Sequence, residues 1–310
     1  MTNTPGRLGT LRLTRSPVLD IAYFEAGEPN GVPVILLHGF PYDVHSYVDV
    51  VPALATSGYR VLVPHLRGHG PTRFRDPATP RSGQQAALGR DVIEFMDALG
   101  ITSAVLGGYD WGGRAACVAA ALWPHRVLGI VSVNGYLIQD VSSSVEPLPP
   151  EREAGFWYFY YFLTERGRKG LTANRRAIAE VIWRRNSPLW AFDDNDLNRA
   201  AEAFDNPDYV DVVLHSYRHR LGHADGAEEY VADENFLATI PPITVPAVTL
   251  DGLNDGNFPA RDAHAASEHF TGPFEHRQVP LAGHNLPQER PADFVDAIST
   301  VTELAKGRLA

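Results

Sequence analysis

The chain has 310 residues, long for one domain but enough for an α/β domain carrying an insertion. Its net charge of −10 argues against a nucleic-acid partner, whose phosphates would repel it, and its single cysteine, Cys117, excludes an internal disulfide. The first twenty residues lack the apolar core of a signal peptide, and no run is long and apolar enough to span a bilayer, so a cytoplasmic protein with no membrane partner is expected.

In chain order, Ile21, Tyr23 and Glu25 alternate with Ala22 and Phe24, as in an early hairpin strand. "VPVILLHGF" from 32 is different: Val34 to Leu37 is a continuous apolar run, the mark of a strand buried on both faces. "YRVLVPHL" at 59–66, "SAVLGGYD" at 103–110, "VLGIVSVNG" at 127–135 and "VPAVTLDG" at 245–252 repeat it. Between 84 and 100, Leu88, Val92, Phe95, Met96 and Leu99 share one helical face. The stretch after Asp110 is alanine-rich up to Trp123, where Pro124 stops it. Buried strands alternating with helices predict an α/β fold with a mostly parallel sheet flanked by helices.

The alternation stops at about 136. A proline-rich linker, "VSSSVEPLPPE", leads into helical and aromatic segments with no buried-strand pattern. We therefore expect a core in two parts, 1–140 and 236–310, with a helical cap, or lid, at 141–235. Within that cap His215, His219 and His223 have metal-like spacing, but 3.6 residues per turn put His215 about 200° from Tyr217. No HExxH is present, so a solvated outer face is expected rather than a metal site.

Chemistry is concentrated in "GGYDWGGR" at 107–114. A strand, then Gly-X-Asp-X-Gly-Gly, then a helix is the layout of a nucleophile elbow, with Asp110 where serine is usual. Taken alone, the octet is equally compatible with a helix-capping aspartate. Three other stretches favour the elbow. "LLHGFP" follows a buried strand, "LDGLNDG" offers Asp255 (or Asp251), and "PLAGHNLPQERP" offers His284. The order nucleophile, acid, histidine is that of a hydrolytic triad.

With "HGFP" at 38–41, "PHLRGHG" at 64–70, "GYDWGG" at 108–113, "ND" at 254–255 and "AGH" at 282–284, nearly the whole chain resembles the α/β-hydrolases of the soluble epoxide hydrolase and dehalogenase branch. The resemblance implies a cofactor-independent hydrolase with an Asp110 nucleophile, acid Asp255 and histidine His284. The backbone N–H groups of Phe40 and Trp111 would form the oxyanion hole. A carboxylate attacking carbon forms an ester, which water activated by His284 would then hydrolyse. Epoxide hydrolases also use two lid tyrosines to protonate the leaving alkoxide. "LHSYRHR" matches the second at Tyr217, which lies on the stripe Val210, Val213, Leu214, Tyr217 and Leu221. In "FWYFYYFL" the first matches Tyr158, with Tyr160 as the fallback.

The remaining candidate substrate contacts are His38, Trp111, Arg114, Trp157 and Tyr160. The alternative reading is a haloalkane or fluoroacetate-type dehalogenase using the same aspartate. Arg114 matches a fluoroacetate dehalogenase arginine, while Trp111 and Asn134 depart from that pattern. Arg114 is equally read as one half of a structural ion pair. A ligand-binding receptor on the same fold is the rival from another class. The aromatic cap predicts a neutral, apolar small-molecule substrate. Oligomeric state is left open, a homodimer included.

Overall fold

Aliphatic and β-branched runs, punctuated by glycine, proline and aspartate, become strands of a single sheet. The computed structural model describes residues 8–309. Its strands are β1 (Thr10–Arg15), β2 (Leu19–Gly27), β3 (Pro33–Leu37), β4 (Arg60–Pro64), β5 (Arg73–Phe74), β6 (Ala104–Gly108), β7 (Val127–Val133), β8 (Ala247–Gly252) and β9 (Phe274–Val279). They are ordered β1-β2-β4-β3-β6-β7-β8-β9, with the short β5 also pairing β2. β1, β2 and β5 pair antiparallel, and every pair from β4 to β9 is parallel. The chain reverses its walk at β3, sending β4 to one side and β6 to the other. Loops that leave β3 and β6 therefore meet above adjacent strand ends, where open α/β sheets place their sites.

Residues 34–37 and 104–108 are buried throughout, because helices cover both faces of these central strands. The core helices at this point are α1 (Val50–Thr56), α2 (Gln85–Ala98) and α3 (Asp110–Leu122). α2 buries Leu88, Val92, Phe95 and Met96 against α3, the face its periodicity predicts. Two strands carry no apolar run in the sequence. β9 is an edge strand with mostly half-buried residues, and β1 is largely exposed, so neither needs one.

Between β7 and β8 the described residues form helices and connections only. These are α4 (Pro150–Gly155), α5 (Trp157–Phe162), α6 (Glu165–Asn186), α7 (Asp194–Ala201), α8 (Tyr209–Arg220) and α9 (Val231–Leu237), together with short 3-10 turns. The core then closes with α10 (Ala263–Ser267), α11 (Leu286–Glu289) and α12 (Pro291–Leu309), the last packed on β7 and β8. α8 turns Val213, Leu214 and Tyr217 inward as its stripe predicts. Among the described residues no helix is long and apolar enough to cross a membrane.

Of the three spaced histidines, the two on α8 are not on a solvated face. His219 is buried and His215 half-buried, and only His223 is exposed. His215 Nδ1 accepts from Gly83 N–H at 3.1 Å, and its Nε2 donates to Asp225 O at 3.0 Å. The loops at 82–84 and 225–226 cover this face, which the helical period alone could not reveal. Among the described residues no cluster of three or more His, Cys, Asp or Glu is placed to hold a metal ion.

Candidate active site

Asp110 opens α3 with a positive φ of 50°, a left-handed conformation that a non-glycine residue adopts at a cost of roughly 1–3 kcal/mol. The turn holds because its neighbours are stripped of side chains. A Cβ on Gly112 would lie 1.9 Å from Leu37 O, and one on Gly39 would lie 2.6 Å from Asp110 Cβ. Those two glycines let the β3 loop press against the elbow. Phe40 N–H then donates to Asp110 Oδ1 at 2.7 Å.

The other carboxylate oxygen faces the histidine. Asp110 Oδ2 lies 3.7 Å from His284 Nε2, and His284 Nδ1 donates to Asp255 Oδ2 at 2.8 Å. Asp255 Oδ1 accepts from Asn257 N–H at 2.8 Å and Phe258 N–H at 2.9 Å, and Asn134 Nδ2 donates to Oδ2 at 3.2 Å. Asp251, the alternative acid, is instead engaged by Arg261 through both carboxylate oxygens.

Burial works against charge at Asp110. Hydrogen bonding and charge from His284, with the backbone N–H groups of Phe40 and Trp111, more than offset it and hold the carboxyl below its ordinary range. Burial likewise lowers His284, but the flanking carboxylates Asp255 and Asp110 win and raise it to about 10. The resting pair is therefore carboxylate and imidazolium at neutral pH.

Two tyrosines from the inserted helices roof the carboxylate. Tyr158 on α5 and Tyr217 on α8 are buried, with ring centroids 5.4 Å apart and 6.2 and 5.3 Å from that of Phe40. Burial raises both phenols well above their usual value, reinforced by the Asp110 charge, so they remain protonated donors. Tyr217 Oη and Trp111 Nε1 are buried without a hydrogen bond of good geometry to a protein group. Unspent donors in a buried site are what a leaving oxygen needs.

Three expected substrate contacts fall elsewhere. His38 uses both ring nitrogens on the backbone: Nδ1 donates to Gly39 O at 3.0 Å, and Nε2 accepts from Leu66 N–H at 3.1 Å. It positions the β3 loop. Tyr160 is 44% exposed and its hydroxyl binds Glu153, so it lines an outer chamber and not the nucleophile. Trp157 packs on Tyr158 and Tyr161, one layer behind the roof. Arg114, by contrast, is buried one turn after Asp110, and no structural ion pair holds it.

Sequence reasoning missed the residues that clamp the histidine. Asn186 and Ser187 end α6, yet they bind the core loops. Ser187 Oγ accepts from His284 N–H at 3.0 Å and donates to Glu289 Oε1 at 2.6 Å, while Glu289 Oε2 accepts from Gly283 N–H at 2.8 Å. Asn186 O accepts from Gly256 N–H at 3.0 Å and His284 N–H at 3.2 Å, and its side chain meets Asn257 Nδ2 at 2.6 Å. Ser, Asn and Glu in "RRNSP" and "PQER" carry no motif that would single them out. Asn134 does carry a local signal, an Asn-Gly turn, and its φ of 63° fits that turn.

Comparison with known proteins shows the family. The profile of the α/β hydrolase fold family matches residues 32–291. The chain belongs to that family. It is 28% identical to epoxide hydrolase A of Mycobacterium tuberculosis, over 93% of this chain and 96% of that one. It is 29% identical to an epoxide hydrolase of Caballeronia sordidicola, over 73% of each. The solved structure of a candidate epoxide hydrolase from Klebsiella pneumoniae superposes with a TM-score of 0.94 at 46% identity, covering 96% of this chain and 99% of that one. The α/β-hydrolase reading of the sequence thus holds, and the chain is a hydrolase of this fold.

Proposed function

We propose that this hydrolase opens an epoxide to a vicinal diol through an ester on Asp110, beneath a cap formed by residues 141–235. The observation that carries the proposal is one cluster: a strained, N–H-bound carboxylate facing a His–Asp pair under two buried, protonated tyrosines. The naming of the relatives as epoxide hydrolases supports it.

In the first step Asp110 attacks an oxirane carbon. The C–O bond breaks and its electron pair leaves as an alkoxide, which takes a proton from Tyr158 or Tyr217. Alkylation also removes the Asp110 charge that helped hold the proton on His284. The imidazolium releases that proton, which replaces the one drawn from tyrosine and leaves a neutral base. In the second step His284 takes a proton from water, and hydroxide attacks the ester carbonyl. The N–H groups of Phe40 and Trp111 hold the oxyanion. Collapse expels the diol and restores carboxylate and imidazolium. The aromatic roof favours a neutral, apolar reacting end.

His284→Gln tests the scheme. It should form the ester and be unable to clear it, so intact-mass spectrometry should show the protein heavier by one epoxide, with steady turnover down about 10²–10⁴-fold. An unmodified protein after saturating epoxide would overturn the covalent route. Chloroacetate and fluoroacetate, run beside a styrene-type epoxide, test the choice of leaving group. A higher kcat/KM for either haloacid would replace the epoxide reading with the dehalogenase one.

A further inference from the structure

Among the described residues two arginines are buried, and they are treated in opposite ways. Arg67 donates to both oxygens of Asp91 at 2.6 Å, and this carboxylate outweighs the cost of burial and raises its pKa. Arg114 has no such partner. Its Nη1 reaches only the neutral Oε1 of Gln139, at 3.4 Å, and its Nε is bonded to nothing. The same Gln139 oxygen also accepts from Arg220 Nε at 3.2 Å. Two cations thus share one uncharged acceptor. Burial first, and Arg220 second, lower Arg114 to about 9.

Among the described residues no carboxylate lies within ion-pair distance of either guanidinium. Asp110, one turn before Arg114, is committed to Phe40 N–H and His284. A buried, unpaired charge costs several kcal/mol and persists where something else is served by it. Arg220 also borders space, with Arg114 behind it across Gln139. A chamber of about 270 Å³ is lined by Gln139, Ser143, Arg152, Phe159, Arg220 and Phe258. Arg152 Nε, on another wall, is likewise unpartnered. Glu146 and Glu153 lie on the same chamber; Glu153 accepts from Leu148 N–H and the Tyr160 hydroxyl, and Glu146 is at the exposed rim.

The chamber adjoins the chemistry. Phe258 stacks on His284 at 5.3 Å, Phe159 packs on Tyr217 at 4.7 Å, and the Arg220 guanidinium lies 4.8 Å over the Phe159 ring. Phe258 and Phe159 thus line the chamber on one side and touch His284 and Tyr217 on the other.

We propose that Arg220, backed by Arg114 and Gln139, binds a carboxylate at the far end of the substrate, so that the preferred substrates are epoxides carrying a carboxylate on a short apolar linker. The inference rests on the epoxide reading, and it narrows the expected neutrality of the substrate to its reacting end. A planar carboxylate matches the guanidinium fork and supplies the charge that Gln139 lacks.

The test compares ω-epoxy carboxylates of increasing chain length with their methyl esters. One chain length should give the acid a kcat/KM about tenfold to a hundredfold above its ester. Arg220→Gln should bring that ratio close to one, and Arg220→Lys should restore part of it; because each ratio is taken within one variant, a general loss of activity does not imitate the effect. Equal values for acid and ester at every length in the wild type would overturn the site. A second measurement separates this from the reaction itself: a saturated carboxylate of the same length, with no oxirane, should raise the Tm of the wild type but not of Arg220→Gln. If that binding is seen while no epoxide is turned over, the anion site stands and the epoxide reading falls. If epoxides are turned over and the saturated acid binds both proteins alike, the anion site falls alone.

Discussion

The half of the site built on the sheet and the half built on the insertion treat their polar groups differently. On the sheet side, Asp110, His284 and Asp255 are tied to each other and to backbone N–H groups at 2.7–2.9 Å, apart from the 3.7 Å gap between Asp110 and His284. On the inserted side, Tyr217 Oη lacks a well-formed hydrogen bond, and the α8 arginine Arg220 shares one neutral acceptor with Arg114. The first arrangement needs nothing from a ligand in order to hold its shape. The second leaves donors that a ligand could satisfy. On the proposed mechanism, the contrast separates groups that carry out the ester chemistry from groups that recognise what is brought to it.

The strongest way to break that comparison is to remove the unspent hydroxyls. Tyr158→Phe with Tyr217→Phe should slow epoxide opening about 10²–10⁴-fold, with each single change milder because one phenol covers for the other. Single-turnover rates of ester formation measure this directly. A double variant that opens epoxides at the wild-type rate would leave the roof with a packing role only.

The clamp between the halves predicts a smaller effect on the other step. Ser187→Ala removes one of the two acceptors of His284 N–H, leaving Asn186 O at 3.2 Å, and the donor to Glu289, each such bond contributing about 1 kcal/mol. Ester hydrolysis should slow by roughly fivefold to tenfold while ester formation changes less, so the Asp110 adduct should accumulate in steady state. Ser187→Thr should recover much of the loss. Equal slowing of both steps would make Ser187 a general packing residue.

The subtlest difference is electrostatic. Asp255 and Asp110 both raise His284, so removing one negative charge must lower it. In Asp110→Asn, whose amide resembles the neutral ester, the His284 titration followed by NMR should move down from the wild-type value of about 10. That direction is what the mechanism requires, since the imidazole must be neutral when the ester is present. An unchanged titration would mean that Asp255 alone sets the histidine.

Much of the sheet was legible because a strand covered on both faces must be a continuous apolar run, and Val34–Leu37, Val61–Val63 and Ala104–Leu106 can be nothing else. β1 and β9 were not legible, because edge strands half-open to solvent need no such pattern. The turn at Asp110 was readable for a related reason: a side chain held on a sharp turn requires small neighbours, and glycines are visible in a sequence. Tyr217 was readable from its stripe on α8, whereas "FWYFYYFL" has no polar phase and Tyr158 needed the family resemblance.

The rest was decided by tertiary structure. His38 looked like a substrate contact until both its nitrogens were found on backbone groups, and His219 looked solvated until the loops over α8 were placed. Local period and spacing report which way a side chain leaves its own element. They do not report what another element puts in front of it. Arg67 and Arg114 make the point most simply: both are arginines beside glycine-rich motifs, and only the packed chain shows Asp91 against the first and no carboxylate against the second. The sequence by itself determined the sheet and the sharp turn at Asp110, because backbone geometry demands particular residues there. Which buried polar groups were left for a ligand was settled only by long-range packing, since satisfaction of a charge depends on partners distant in the chain.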